Sequence, residues 1–485
     1  MGKIRALMEK TPVGIKSAFV YTVSSVFTRG LAIITLPIFT RLMTVDQIGV
    51  VNIFNSWYSL LSVFATLSLT SGGFAVAMKE YCDRRNEYES SVLSLTSIIA
   101  GVIALIYFIA PTFWQEALGL PNELIILMLV GFLFAPARDF WLARERYEYK
   151  YKLAGCISIF TAIMASVFSI IAVVSLSRKG IESTATGRLI ANYIVVFGVA
   201  AIIWIYIIIK GKTFYCKEYW KMSLTVSLPL VGYNIAAQVL NVSDRMMISS
   251  MVNNSAVGIY SILYTVSSLS LLVWQAINSS FVPYIFQNIE NKDHKIKDIS
   301  SMLISAYAII AVLLTFFAPE IVRILATKEY YEAIYIMPPI AAGVFFTSYS
   351  NLYSNIAVYY KKTKYVMYPA IIAACINLLL NYIFIKIYGY MAAAYTTLLS
   401  YIVLAVLQSF WSSKVCGEND NAIGNIFDNR KMIIIAISTI GAVMAGIPLY
   451  SHTLMRYVIS LVLIIAVVLM TIQILKSNIK DEKKM

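Results

Sequence analysis

Apolar residues in this chain come in long runs separated by short polar turns, and the run length decides the element. A helix rises about 1.5 Å per residue, so about 20 apolar residues are needed to cross the hydrocarbon of a bilayer. Fourteen such runs recur, near 13–39, 48–78, 91–113, 122–141, 153–176, 188–210, 223–251, 257–287, 301–326, 334–358, 365–387, 389–411, 432–450 and 456–476. The pattern predicts an all-α polytopic membrane protein with 14 transmembrane helices. Prolines inside the runs, Pro229 and Pro283 among them, are expected to bend their helices.

Composition removes the alternatives. The 485 residues are 59% hydrophobic and only 13% charged, with a mean hydropathy of +0.75. A soluble domain carries about 25% charged residues, and no soluble fold of this length can hide so much apolar side chain.

The net charge of +14 would suggest a nucleic-acid partner in a soluble chain. Here its distribution points elsewhere, and no nucleic acid is expected. With both termini placed in the cytoplasm, the inner loops and termini hold 29 Lys and Arg and the outer loops 8, leaving Arg29 and Arg245 inside spans. That asymmetry follows the positive-inside rule and supports the helix count. Five separated cysteines and two distant histidines offer no zinc spacing, so neither a metal nor a cofactor is expected. No nucleotide-binding Gly-Lys loop and no paired-carboxylate or Ser/His constellation appears, which leaves enzyme chemistry without a candidate.

An internal repeat is legible. Ile48-Gly49-Val50-Val51-Asn52-Ile53-Phe54 can be laid over Val257-Gly258-Ile259-Tyr260-Ser261-Ile262-Leu263, an offset of 209, and Gly187 over Gly389, an offset of 202. The repeat implies a six-helix lobe over 1–212, a second over 213–412, and an added helix pair with a cytoplasmic tail over 413–485. Transporters built from repeats place their substrate between the halves.

Polar groups are expensive in lipid and should face the bundle interior or a wet cavity. The second span carries Asn52, Asn55, Ser59, Ser62 and Thr66 on one helical face, and the seventh Asn234, Gln238, Asn241 and Arg245. The eighth offers Tyr264, Ser268, Gln275 and Asn278, the tenth Ser348, Asn351, Asn355 and Tyr359, and the first Ser25, Thr28 and Arg29. Such stripes either glue helices together, at about 0.6 kcal/mol per bond, or line a shared cavity whose amides and hydroxyls would bind sugar.

A guanidinium at membrane depth costs at least about 2.5–3.5 kcal/mol unless solvated or paired, and its planar fork suits phosphate. Arg29 and Arg245 are therefore candidates to grip a phosphate in a cavity between the lobes, with Asp244 as the only deep carboxylate and the candidate for a coupling ion. The alternative is a structural ion pair of Asp244 with Arg245 or Arg29. Adjacent residues point about 100° apart on a helix, which argues against direct stacking of Asp244 on Arg245.

Several segments resemble a known family: Arg29-Gly30-Leu31 through Leu36-Pro37-Ile38-Phe39-Thr40-Arg41-Leu42, Asp46-Gln47-Ile48-Gly49, Ser243-Asp244-Arg245, Ala256-Val257-Gly258-Ile259-Tyr260-Ser261, Asn377-Leu378-Leu379-Leu380-Asn381 and Tyr388-Gly389-Tyr390-Met391-Ala392-Ala393. Over about the first 410 residues the chain resembles the polysaccharide-transporter branch of the multidrug/oligosaccharidyl-lipid/polysaccharide exporter superfamily, the O-antigen and capsule repeat-unit flippases. The resemblance implies two six-helix lobes around a cavity of alternating access. It implies as substrate an undecaprenyl-diphosphate-linked oligosaccharide flipped across the bacterial cytoplasmic membrane, with the lipid bilayer and the pathway's polymerase and glycosyltransferases as partners. Drug-exporting relatives often carry an acidic residue in the first helix, absent here. Fourteen spans also suit lipid II flippases, the second reading, and a multidrug or cation antiporter is the third.

Overall fold

The computed structural model describes residues 13–71, 73–181, 183–289, 295–419 and 426–482. Every regular element among them is helical, as the apolar runs require, and 14 helical stretches are long and apolar enough to cross a membrane. The chain divides into two compact units, Met1–Val242 and Ser243–Met485, so the division falls within the seventh span.

The first unit contains α1 (Val13–Leu42), α2 (Val45–Thr66), α3 (Gly73–Glu80), α4 (Arg85–Ile109), α5 (Pro111–Leu118), α6 (Asn122–Tyr147), α7 (Tyr151–Arg178), α8 (Thr184–Gly211) and the start of α9 (Lys217–Met251). Two predicted spans are shorter than their apolar runs. The run at 48–78 stops being helical at Thr66, because Leu67 and Ser68 adopt left-handed backbone at φ 46° and 54°, and α3 begins only at Gly73. The run at 91–113 breaks at Ala110, since a residue before proline is driven out of the helical region, and Pro111 then opens α5.

Aromatic rings form much of the contact among α2, α6 and α8. Tyr58 stacks on Phe132 at 5.5 Å and Phe54 meets Tyr193 at 5.3 Å. Gly131 makes this approach possible, because a Cβ there would lie 2.5 Å from Phe197 Cζ and 2.7 Å from Tyr58 Cε2.

The second unit holds the rest of α9, then α10 (Asn254–Ser267), α11 (Ser270–Asn288), α12 (Lys295–Phe316), α13 (Ala318–Leu325), α14 (Met337–Tyr359), α15 (Lys364–Tyr388), α16 (Ala392–Asn419), α17 (Asn429–Ala445) and α18 (Thr453–Glu482). The run at 301–326 is likewise divided, at Phe317 two residues before Pro319. The helix over 257–287 is interrupted at Ser268–Leu269 between α10 and α11, whereas Pro229 and Pro283 lie within continuous helices.

Most of α14 is buried, and its Gly343 packs close to Tyr401 on α16, where a Cβ would sit 3.1 Å from the ring. The last two helices belong to this unit: Arg456 on α18 donates to the Phe316 carbonyl at 2.8 Å and pairs with Glu320, which also accepts from Tyr457 at 2.8 Å.

The 209-residue repeat extends to the helix caps. Thr44 caps α2 by accepting from the Gln47 amide, and Asn253, 209 residues on, caps α10 by accepting from Ala256 at 2.8 Å. The glycines at offset 202 differ. Gly187 leaves room for Leu176, 2.2 Å from a would-be Cβ, while Gly389 has open space and takes φ +74° after α15.

Candidate functional site

The first unit encloses a cavity of about 520 Å³ walled by α1, α6, α7 and α8. Each wall supplies one stripe. On α1 it is Tyr21, Ser24, Ser25, Thr28, Arg29 and Ala32; on α7 it is Ile157, Ser158, Thr161, Ala162, Ala165 and Ser166. From α6 come Arg138, Leu142 and Arg146 at steps of four, and from α8 Asn192 and Val196. Gly155 lets α7 approach α1, since a Cβ there would lie 2.9 Å from Val20 and 3.2 Å from the Ser24 hydroxyl.

Three guanidinium groups, Arg29, Arg138 and Arg146, therefore face one space lined with hydroxyls. Arg146 lies 5.2 Å from the Tyr21 ring. Asp139, next to Arg138, interacts with Arg138 and Arg146, and Glu145 with Tyr21, so three guanidinium groups outnumber two carboxylates and the set stays cationic. Three polar atoms in the lining have no partner among the described residues: the Tyr21 hydroxyl, the Ser24 hydroxyl and Arg138 Nε. Ser24 is only 5% exposed. Buried polar groups are nearly always bonded, so a cluster of unpartnered ones around a cationic cavity marks where a polar, anionic guest fits.

The cytoplasm-assigned end of α6 is held from outside the cavity. Arg144 donates to Glu89 and to Asn86, each at 2.7 Å, and to Glu148 at 3.0 Å; Glu148 also meets Arg85 at 3.4 Å and Lys150 at 2.5 Å. Burial would lift the Glu148 carboxyl, but hydrogen bonds from Lys150 and Arg144 overcome it and hold the pKa down at about 2. This network fixes the last turn of α6, from which Arg146 reaches Tyr21.

Arg245 lies in a different setting, in the second unit. Asp244, 1% exposed, accepts from the Arg245 backbone at 2.8 Å and from the Tyr260 hydroxyl at 2.5 Å, and its Oδ1 stands 3.5 Å from the Arg245 guanidinium. That guanidinium rests 4.3 Å above the Tyr264 ring. The expectation that neighbouring positions keep Asp244 and Arg245 apart is corrected: the long Arg245 side chain curls back to its neighbour. Asp244 is also not the only carboxylate inside a span, since Asp139 lies on α6 and Glu89 is buried on α4.

The remaining predicted residues scatter. Asn55 accepts from Tyr193 at 2.9 Å. Most of its stripe bonds back to its own helix, with Asn52 donating to Ile48, Ser59 to Asn55, and Thr66 to Ser62, each at 2.8 Å. Asn234 donates to Ser68 at 2.8 Å, Gln238 is half-buried, and Asn241 donates to the Ala237 carbonyl at 2.8 Å. In the second unit Asn355 donates to Asn278 at 3.0 Å, joining α14 to α11, while Gln275 and Asn351 are exposed.

Arg138, Arg146 and Asn192 are cavity residues that the sequence reading did not single out. The loop tally assigned both arginines to a turn, yet α6 runs to Tyr147 and carries them inward. Their spacing of eight, two helical turns, was the available signal.

Comparison with known proteins fits this architecture. The family described as polysaccharide biosynthesis protein matches residues 15–289, and the MatE family matches residues 229–383. Among solved structures, the lipid II flippase MurJ in an inward closed conformation is 17% identical, with 95% of this chain and 100% of that chain covered and a TM-score of 0.66. An inward-facing multidrug resistance MATE family transporter of the MOP superfamily is 12% identical, covering 82% of this chain and 96% of that chain, with a TM-score of 0.61. A MOP superfamily transporter from Pyrococcus furiosus, described as having a binding pocket of reverse polarity, is 13% identical over 83% of this chain and 96% of that chain, with a TM-score of 0.51. No curated protein matches the chain.

Proposed function

The chain belongs to the polysaccharide biosynthesis protein family, and from that premise we propose that it flips a lipid-linked oligosaccharide, carried on undecaprenyl diphosphate, across the bacterial cytoplasmic membrane. The observation that carries this reading is the cavity of the first unit, where Arg29, Arg138 and Arg146 face a hydroxyl-lined space with three unpartnered polar atoms.

A diphosphate needs charge-assisted donors, and a guanidinium keeps its charge when water is removed. Serine, threonine and asparagine hydroxyls and amides suit the first sugar beside it. The polyprenyl tail needs no protein cavity, because the bilayer already dissolves it. A cationic lining disfavours the cationic drugs of an antiporter. In this reading both termini face the cytoplasm, Asn55 and the amides of α9, α11 and α14 (Asn234, Gln238, Asn241, Gln275, Asn278, Asn351 and Asn355) contact the oligosaccharide as the lobes alternate, and Asp244 is the candidate for ion coupling.

Loss of the protein should make lipid-linked repeat units accumulate on the inner leaflet while cell-wall synthesis continues. Unchanged distribution of these lipids between leaflets would refute the reading. The second reading, a peptidoglycan-precursor flippase, is favoured by the 14 spans and by full coverage of the MurJ chain. It predicts arrest of cell-wall synthesis instead.

A further inference from the structure

The wall stripes continue past the end of the cavity. On α8 the lining residues Val196 and Asn192 stand one turn apart, and one turn further back on the same stripe is Arg188. On α1 the lining passes through Thr28 and Ala32, and its continuation at Thr35 and Phe39 stays buried, at 6% and 4% exposure. The two continuations meet. The Arg188 guanidinium lies 3.6 Å from the Phe39 ring centroid, with Nη1 3.8 Å from Met43 Sδ.

A fourth guanidinium thus sits beyond the cavity lining on the same helix stripe, under an aromatic face. Among the described residues no carboxylate pairs with it, whereas Arg144 and Arg456 each hold a glutamate. α8 begins at Thr184, so Arg188 stands in its second turn. The ring of Phe39 offsets part of the guanidinium charge, but it provides no counter-ion.

We infer that Arg188 is a second phosphate-binding station in the first unit and that Phe39 is its lid. The inference rests on reading the cavity as the diphosphate site. Phe39 lies ten residues along α1 from Arg29, about 15 Å at the helical rise, too far for one diphosphate to bridge. The two stations are therefore occupied in succession, with Phe39 moving aside when the phosphate leaves the level of Arg29 and Arg138.

The test uses the full chain in nanodiscs of zwitterionic lipid, titrated calorimetrically with inorganic pyrophosphate. Wild type should bind through the open cavity alone. Phe39→Ala, and Phe39→Leu, which keeps apolar bulk without the ring face, should add a second class of site or tighten binding at least about tenfold, the scale of a hydrogen bond to a charged group. Arg188→Gln in either background should remove that gain, and Arg188→Lys should retain part of it. Phe39 variants that match wild type, or a gain that survives Arg188→Gln, would overturn the inference while leaving the cavity reading intact. Pyrophosphate binding that appears only in the Phe39 variants and depends on Arg188 would support the station and count against the cavity reading instead.

Discussion

Two sets of arginines lie within the membrane spans, and they differ in what surrounds them. In the first unit, Arg29, Arg138 and Arg146 face about 520 Å³ of open space, and Arg138 Nε has no hydrogen-bond partner among the described residues. In the second, Arg245 meets the adjacent carboxylate and lies over Tyr264, and that carboxylate is itself bonded to Tyr260. The same residue type inside a span thus meets two surroundings. In the reading proposed above, the guanidinium answered within the protein is structural, and those left facing a cavity answer a charge that arrives with a ligand. Lying within a span does not separate these cases; partners do.

The contrast can be broken most forcefully at the closed site. Asp244→Asn or Arg245→Gln should each destabilise the protein by about 3–5 kcal/mol, the usual effect of leaving one member of a buried pair alone, read as a drop in thermal unfolding temperature in nanodiscs. The double exchange Asp244→Asn with Arg245→Met should recover most of that loss. Equal losses in single and double variants would show that the pair is not acting as a unit.

At the open site the expected order reverses. Arg138→Gln should leave unfolding nearly unchanged but weaken binding of a soluble prenyl diphosphate by about 1.5–3 kcal/mol, between tenfold and a hundredfold, as expected for hydrogen bonds to a charged group. Arg29→Gln should behave alike. A smaller, purely steric effect is expected at Gly131→Ala, whose Cβ would collide with Phe197 and Tyr58. Overpacking of this kind costs about 1–3 kcal/mol, and because Arg138 lies two turns further along α6, diphosphate affinity should fall with stability.

The smallest effect belongs to Glu148. Its carboxyl is held below its ordinary value, so its contribution to stability is present above pH 4.5 and is lost as pH falls toward 2. Wild-type unfolding temperature should be flat from pH 8 to 5 on this account, and Glu148→Gln should lower it by an amount that shrinks between pH 4.5 and 2.

The spans were legible because bilayer thickness imposes a length that hydropathy records directly. The breaks at Leu67, Ala110 and Phe317 were not, although Ser68, Pro111 and Pro319 stand beside them, since the mean hydropathy of a long run averages over the few residues that turn the backbone. Arg29 was legible as an isolated charge in an apolar run. Arg138, Arg146 and Arg188 escaped because they lie near the ends of their helices, where charge is expected in any case, and only the helix lengths turn them inward. The Asp244–Arg245 contact was legible only as the alternative reading, because it depends on a side chain bending back along its own helix, which angular position does not describe.

The central claim is that the diphosphate is held by the arginines of the first unit. It is tested most directly by calorimetric titration of the full chain in nanodiscs with geranyl diphosphate, comparing wild type, Arg138→Gln and Arg245→Lys. The account predicts an affinity at least about tenfold weaker for Arg138→Gln and unchanged for Arg245→Lys, which keeps the pair with Asp244. Wild-type affinity in Arg138→Gln, together with loss of binding in a folded Arg245→Lys, would contradict it.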